Sequence, residues 1–183
     1  FSVSEKIVSH EGVSARTTGD LSLNVENYEQ HGEIQEKRVV HCRNITAHGA
    51  VCGEIISAGG LVCLKSNLVG GSASNAAGDI VVEGVASGAT LTAGTGTVKL
   101  RQADNCLIRA QRVTIERAVN CDIVAEQVII DLAEGCAIAG KSITVRLARP
   151  WRDLDNALLV CLPDLSAYRA RITALQTKQA ELT

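Results

Sequence analysis

Large rings are almost missing from this chain. Aromatics make up 2% of its 183 residues, although 46% are hydrophobic. Phe1, Tyr28, Trp151 and Tyr168 are the whole set, and none lies between residues 29 and 150. Ordinary globular cores use rings to fill volume. A core of Val, Ile, Leu, Ala and Cys alone implies a narrow interior. Sugar-binding surfaces built on aromatic platforms are disfavoured for the same reason. Charge of one sign is also lacking. A formal net charge of -2 gives no basis for nucleic acid or an anionic membrane as partner. No run approaches the roughly 18 apolar residues of a membrane span. Met is absent and the first residue is Phe1, as expected of a fragment of a longer chain or of a chain in which a modified residue replaces Met.

What is present is periodic. Short apolar-x-apolar triplets recur at Ile45–Ala47, Val62–Leu64, Ile80–Val82, Val98–Leu100, Val113–Ile115, Val128–Ile130 and Ile143–Val145. Their first residues are spaced by 17, 18, 18, 15, 15 and 15. Such alternation marks a strand with one buried face. A second column, three residues after each anchor, holds His48, Lys65, Glu83, Arg101, Glu116, Asp131 and Arg146, all polar or ionisable. Ala103, Ala118, Ala133 and Ala148 form a third. Cys106, Cys121 and Cys136, each preceded by Asn or Gly (Asn105, Asn120, Gly135), form a fourth. Those Asn and Gly residues suit a corner of positive φ.

A unit of 15 to 18 residues cannot bury an apolar face alone, so the units must stack. The expected fold is all-β: a single-stranded parallel β-helix, read as right-handed because 15 is not a multiple of the six-residue step of left-handed hexapeptide solenoids. Residues 39–148 form the β-helix. The region 1–38 reads as a less regular β cap, although residues 13–23 echo the pattern. Residues 149–163, with both prolines, read as a connector. Residues 164–183 read as a helix with Asp164 as N-cap. Leu165, Tyr168, Ile172, Leu175, Gln179 and Leu182 lie there at alternating spacings of three and four, the pattern of a short pairing seam.

The strings "AHGAVCGEIISAGGLVCLKSNLVGG", "AAGDIVVEGVASGATLTAGTG" and "NCDIVAEQVII" resemble the β-helical region of the FapA flagellar-assembly family, itself similar in architecture to bactofilins and to the C-terminal domain of the division inhibitor MinC. The likeness covers about residues 39–148 as a style of repeat. It rests on Gly49, Gly53, Ala58, Gly59, Gly60 and the "NLVGG" turn at 67–71. It implies a cytoplasmic bacterial protein, a β-helix followed by helix, and a scaffold or regulatory role in flagellar assembly. Implied partners are a phosphotransferase-system EIIA component or a polar or flagellar protein. The 15-residue coils with their Cys column depart from that pattern.

No catalytic motif stands out. The charged column alternates in sign from Lys65 to Glu116, as a solvated ladder of ion pairs would. His41, Cys42, His48 and Cys52, with Cys63 one coil on, match no common zinc spacing. Adjacent His41 and Cys42 should point to opposite faces of a strand. The late thiols would lie about 4.8 Å apart along the stack. That is close enough to bridge, but Cys packs well as a small buried residue, and packing is the expected role. Seven Cys, an odd number, fit a reducing compartment.

The expectation is therefore a non-enzymatic protein without cofactor or metal, acting by protein contact and self-association through solenoid ends or the C-terminal helix. Contact residues would be Val81 and Ile129 on the sheet and Leu165, Ile172 and Leu175 on the helix. Rival readings are a bactofilin-like filament and, less favoured, a hexapeptide acyltransferase.

Overall fold

A computed structural model describes residues 6–14, 19–23, 25–161 and 171. The chain winds into an all-β parallel solenoid of about nine turns. Its strands are β1 (Lys6–Ser9), β2 (Leu21–Ser22), β3 (Asn27–Gln30), β4 (Val39–Cys42), β5 (Asn44–Ala47), β6 (Glu54–Ser57), β7 (Gly60–Leu64), β8 (Leu68–Val69), β9 (Ser72–Asn75), β10 (Gly78–Ser87), β11 (Thr90–Asp104), β12 (Leu107–Val119), β13 (Asp122–Glu134), β14 (Ala137–Arg149) and β15 (Ala157–Val160). Every strand-to-strand pairing is parallel, each coil lying on the one before. The periodic triplets are the cause: each inward Val or Ile meets its counterpart one coil away. Ile45, Val62, Ile80, Val98, Val113 and Val128 are thus in direct register and all but inaccessible to solvent.

Pairing extends past both boundaries set by the triplets. β1 pairs with β3 and β3 with β5, so residues before 39 already stack as coils. β15 pairs with β14, so a further rung follows residue 149. The early coils are hard to see because β3 offers Gln30 to the position that Ala47 and Leu64 fill later. Gln30 is fully buried. It is tolerable there because its amide donates to the carbonyls of Glu11 (2.5 Å) and Gly32 (3.0 Å) and its oxygen accepts from the Tyr28 hydroxyl.

The step from 18 to 15 residues is divided between two corners. Val82 pairs with Leu100 and Val85 with Gln102, so the earlier coil has one extra residue there. Ala93 pairs with Ala110 and Thr97 with Arg112, which is two extra residues. Once these are gone, corners take one residue each and a strand runs continuously through three inward segments. Asn105, Asn120 and Gly135 adopt φ of 53°, 48° and 61°, in line with Gly70 and Gly88 before them. The predicted helix at 164–183 lies outside the described residues. Among those described, no helix is long and apolar enough to cross a membrane.

Candidate functional site: a histidine ladder on the first coils

The clearest cluster of reactive side chains sits near the N-terminal end. His10, His31 and His48 each follow a strand of the same sheet face, two residues after Val8, Glu29 and Thr46, which are in register. Their rings therefore stack. His10 and His31 have centroids 4.7 Å apart, and His31 and His48 are 4.4 Å apart with planes only 2° from parallel. Glu29 lies beside the stack. Its Oε1 is 3.2 Å from His31 Nε2 and 2.9 Å from His48 Nε2, while Oε2 meets the Lys6 ammonium. Lys6, then His48, hold the Glu29 carboxyl down at about 2. The donor atoms of Glu29, His31 and His48 all lie within 4.8 Å of one another. They form a set of two imidazoles and one carboxylate that is partly open to solvent.

Only His48 was singled out in the sequence. The missed signal is a short motif: "HEGV" at 10, "HGEI" at 31 and "HGAV" at 48. Its spacings are 21 and 17, irregular enough to hide it, but Val13, Ile34 and Val51 form one continuous bridge column and fix the register of all three histidines.

The cysteine-containing set does not converge. His41 is exposed and Cys42 buried, on opposite faces of β4. Burial alone pushes the Cys42 thiol up to about 12, where it is a poor nucleophile and a poor ligand. Cys52 meets Glu33 at 3.7 Å and Cys63 is nearly buried. The late column is also buried. Cys106, Cys121 and Cys136 donate to the carbonyls of Asp104 (3.4 Å), Val119 (3.2 Å) and Glu134 (3.5 Å). Flanking thiols and burial hold Cys121 well above its usual range. Hydrogen bonding to Cys121 draws Cys106 and Cys136 the other way, below the usual thiol range, and all three side chains are packed in the core.

Val81 is half-buried and Ile129 37% exposed. They share a column, but Lys99 and Thr114 stand between them, about 14 Å along the stack. They do not form one apolar stripe. Leu165, Ile172 and Leu175 lie outside the described residues. The charged column closes ion pairs at Lys65–Glu83 and at Asp131–Arg146, 3.4 Å apart, whereas Arg101 pairs with neither neighbour. Two further pairs link adjacent coils beside it, Arg117–Glu134 at 2.8 Å and Glu126–Lys141 at 2.5 Å. These are surface pairs screened by solvent, and they add little to stability.

The ends of the solenoid differ from its middle. Ile108, Ile123, Ile138 and Leu158 occupy one inward column. The first three are buried, but Leu158 is 53% exposed. At the other end Ile7 heads the column of Tyr28 and Ile45 and is 41% exposed. No family model, curated protein or solved structure matches this chain.

Proposed function

We propose that this protein is a non-enzymatic scaffold that works by protein contact and associates with further copies of itself, head to tail, through the ends of the solenoid. The observation that carries the reading is the pair of core columns that end on the half-exposed Ile7 and Leu158, beside strand edges that pair with no further rung among the described residues. A parallel β-stack is completed by another β-stack, and a head-to-tail contact between different ends is heterologous. The resemblance to the FapA family supports a cytoplasmic setting, a role in bacterial flagellar assembly, a right-handed winding and a pairing helix at 164–183. It also supports an EIIA component or a polar flagellar protein as the other partner. The same open ends favour, as second reading, a bactofilin-like polymer. The 15-residue coils weigh against the hexapeptide acyltransferase.

The test is size and shape in solution, by light scattering with negative-stain microscopy, on the wild type and on the variants Ile7→Arg and Leu158→Arg. A discrete scaffold gives small assemblies that both variants reduce to monomers. Long filaments lost in both variants select the polymer. Wild-type protein that stays monomeric at its highest soluble concentration, or assemblies indifferent to both variants, would sink end-to-end association. Compact trimers that bind acyl-CoA would replace it with the enzyme.

A further inference from the structure

We propose that Glu29, His31 and His48 form a site for a transition-metal dication of the zinc or nickel class, which clips two successive coils together near the N-terminal end of the solenoid. The donor set comes first. Two imidazole nitrogens and one carboxylate oxygen suit first-row dications, whereas calcium and magnesium require oxygen ligands throughout. The spacing comes second. With metal–ligand bonds of about 2.0–2.1 Å, neighbouring donors of a tetrahedral ion lie about 3.3 Å apart. The two contacts of Glu29 Oε1 with the rings, 2.9 and 3.2 Å, already approach that edge length.

One edge remains to be closed. An imidazole lone pair lies in the ring plane, so two rings stacked 2° from parallel do not aim at one point. Each must tilt toward the other. Both side chains are about a third exposed, at 35% and 37%, and core packing does not fix the tilt. Binding through Nε2 also requires each ring to carry its proton on Nδ1, so that the Nε2 lone pair is free to ligate. Lys6 occupies the other oxygen of Glu29 and leaves Oε1 directed at the rings. His10, stacked on His31, lies outside the three-donor set; water fills the remaining positions.

The placement gives the ion a structural consequence. Glu29 and His31 belong to one coil and His48 to the next. The strands joining these coils are only four residues long. A metal bridge there opposes unzipping from the N-terminal end.

Isothermal titration of the full chain, first stripped with chelator, with zinc chloride and separately with nickel chloride tests this. The expected result is one ion per chain and a metal-dependent rise in melting temperature. His31→Ala and His48→Ala should each weaken binding at least about 10-fold, and the rise should vanish in the double variant. His41→Ala and the triple Cys106→Ala/Cys121→Ala/Cys136→Ala variant should bind as the wild type does. A second reading needs no variant: zinc titrated into the wild type should shift the imidazole proton resonances of His31 and His48 together, and leave those of His41 in place. No saturable binding at about 1 mM metal, far above the affinities of structural sites, would overturn the proposal. So would binding undiminished in the double variant, or lost in the triple cysteine variant, or resonance shifts that spare His31 and His48.

Discussion

The coils before residue 78 and those after it solve one problem in two ways. Both must turn the chain back on itself and keep inward columns in register. The early coils use strands of two to five residues and long corners. The backbone there is held by side chains of the neighbouring coil: Asn44 Oδ1 accepts from Leu61 N (2.7 Å), and the same device reaches into β10 and β11, where Asn67 Oδ1 accepts from Val85 N (2.9 Å) and Asp79 Oδ1 from Thr97 N (2.7 Å). Polar groups enter the interior at Gln30, Ser57 and Asn75. The late coils have strands of 10 to 15 residues. Each reverses direction at one residue of positive φ, and their interior is Ile, Val, Leu, Ala and Cys. A corner column shows the trade directly. The carbonyls of Gly53, Gly71, Ala89, Cys106, Cys121 and Cys136 form this column, each accepting from the N–H that opens the next strand along the stack. Side chains grow along it as the coil shortens. A Cβ on Gly71 would run into the carbonyl of Gly53, while Cys121 one end along fills its place and is nearly inaccessible. Slack removed from the corner is replaced by packing.

The largest effect should come from forcing the late solution onto an early corner. Gly71→Cys adds a side chain where backbone already stands, and should destabilise by about 3 kcal/mol or more. Urea unfolding followed by far-ultraviolet dichroism measures it. A loss under about 1 kcal/mol would mean that the early corner has room, and the contrast between the two regions would collapse.

The converse change is milder. Replacing Cys106, Cys121 and Cys136 by Ala together removes three packed sulfurs, each bonded to a carbonyl two residues before it, and Cys121 also to Ala103 O (3.3 Å) and Cys106 N (3.5 Å) of the coil before. The expected cost is about 2–3 kcal/mol in total, with the fold retained and metal content unchanged. If the triple variant loses a stoichiometric metal ion, the thiols are ligands and not filler.

A smaller effect is expected at the corner itself. Asn120, at φ 48°, also donates to Asn105 Oδ1 at 2.6 Å. Asn120→Val puts a β-branched residue in the left-handed region and should cost about 1–2 kcal/mol. Asn120→Gly keeps the conformation accessible and should stay within about 0.5 kcal/mol. Equal costs for the two would show that the side-chain bond, not the backbone, is what the corner needs.

The two regions also differ in how far their sequence betrays them. From β11 on every inward position is apolar, the repeat is constant at 15, and Asn or Gly marks each corner. Column after column could be aligned, and Ala103, Ala118 and Ala133 do prove to be in register and buried. In the early coils the alternation fails at Gln30, which is buried only because local carbonyls accept its amide. Spacing wanders from 17 to 21, because long corners absorb extra residues without disturbing the stack. The histidine ladder was hidden for that reason. Stacking brings together residues 17 and 21 apart, and only the Val13–Ile34–Val51 column beneath them reveals the register. Expectations resting on residues 164–183 fall outside what the structure describes.

The smallest predicted effect follows from the same cluster. Glu29 is held at about 2, below its ordinary 4.5, chiefly by Lys6 and then by His48. A carboxyl with a lowered folded value binds protons more readily when unfolded. Its contribution is thus complete above 4.5 and is lost as the pH falls through 4.5 toward 2. Glu126, lowered by Lys141, does the same on the late coils, but there the pair decorates strands 13 residues long. Acid should therefore loosen the two regions unequally. Amide hydrogen exchange between pH 4.5 and pH 2, corrected for intrinsic rates, should show protection of Tyr28–Gln30 and Ile45–Ala47 falling first. Glu29→Gln should remove that early loss, and Glu126→Gln should leave it unchanged. If both regions lose protection together in the wild type, the coils open as one unit, and the division at residue 78 is one of construction but not of stability.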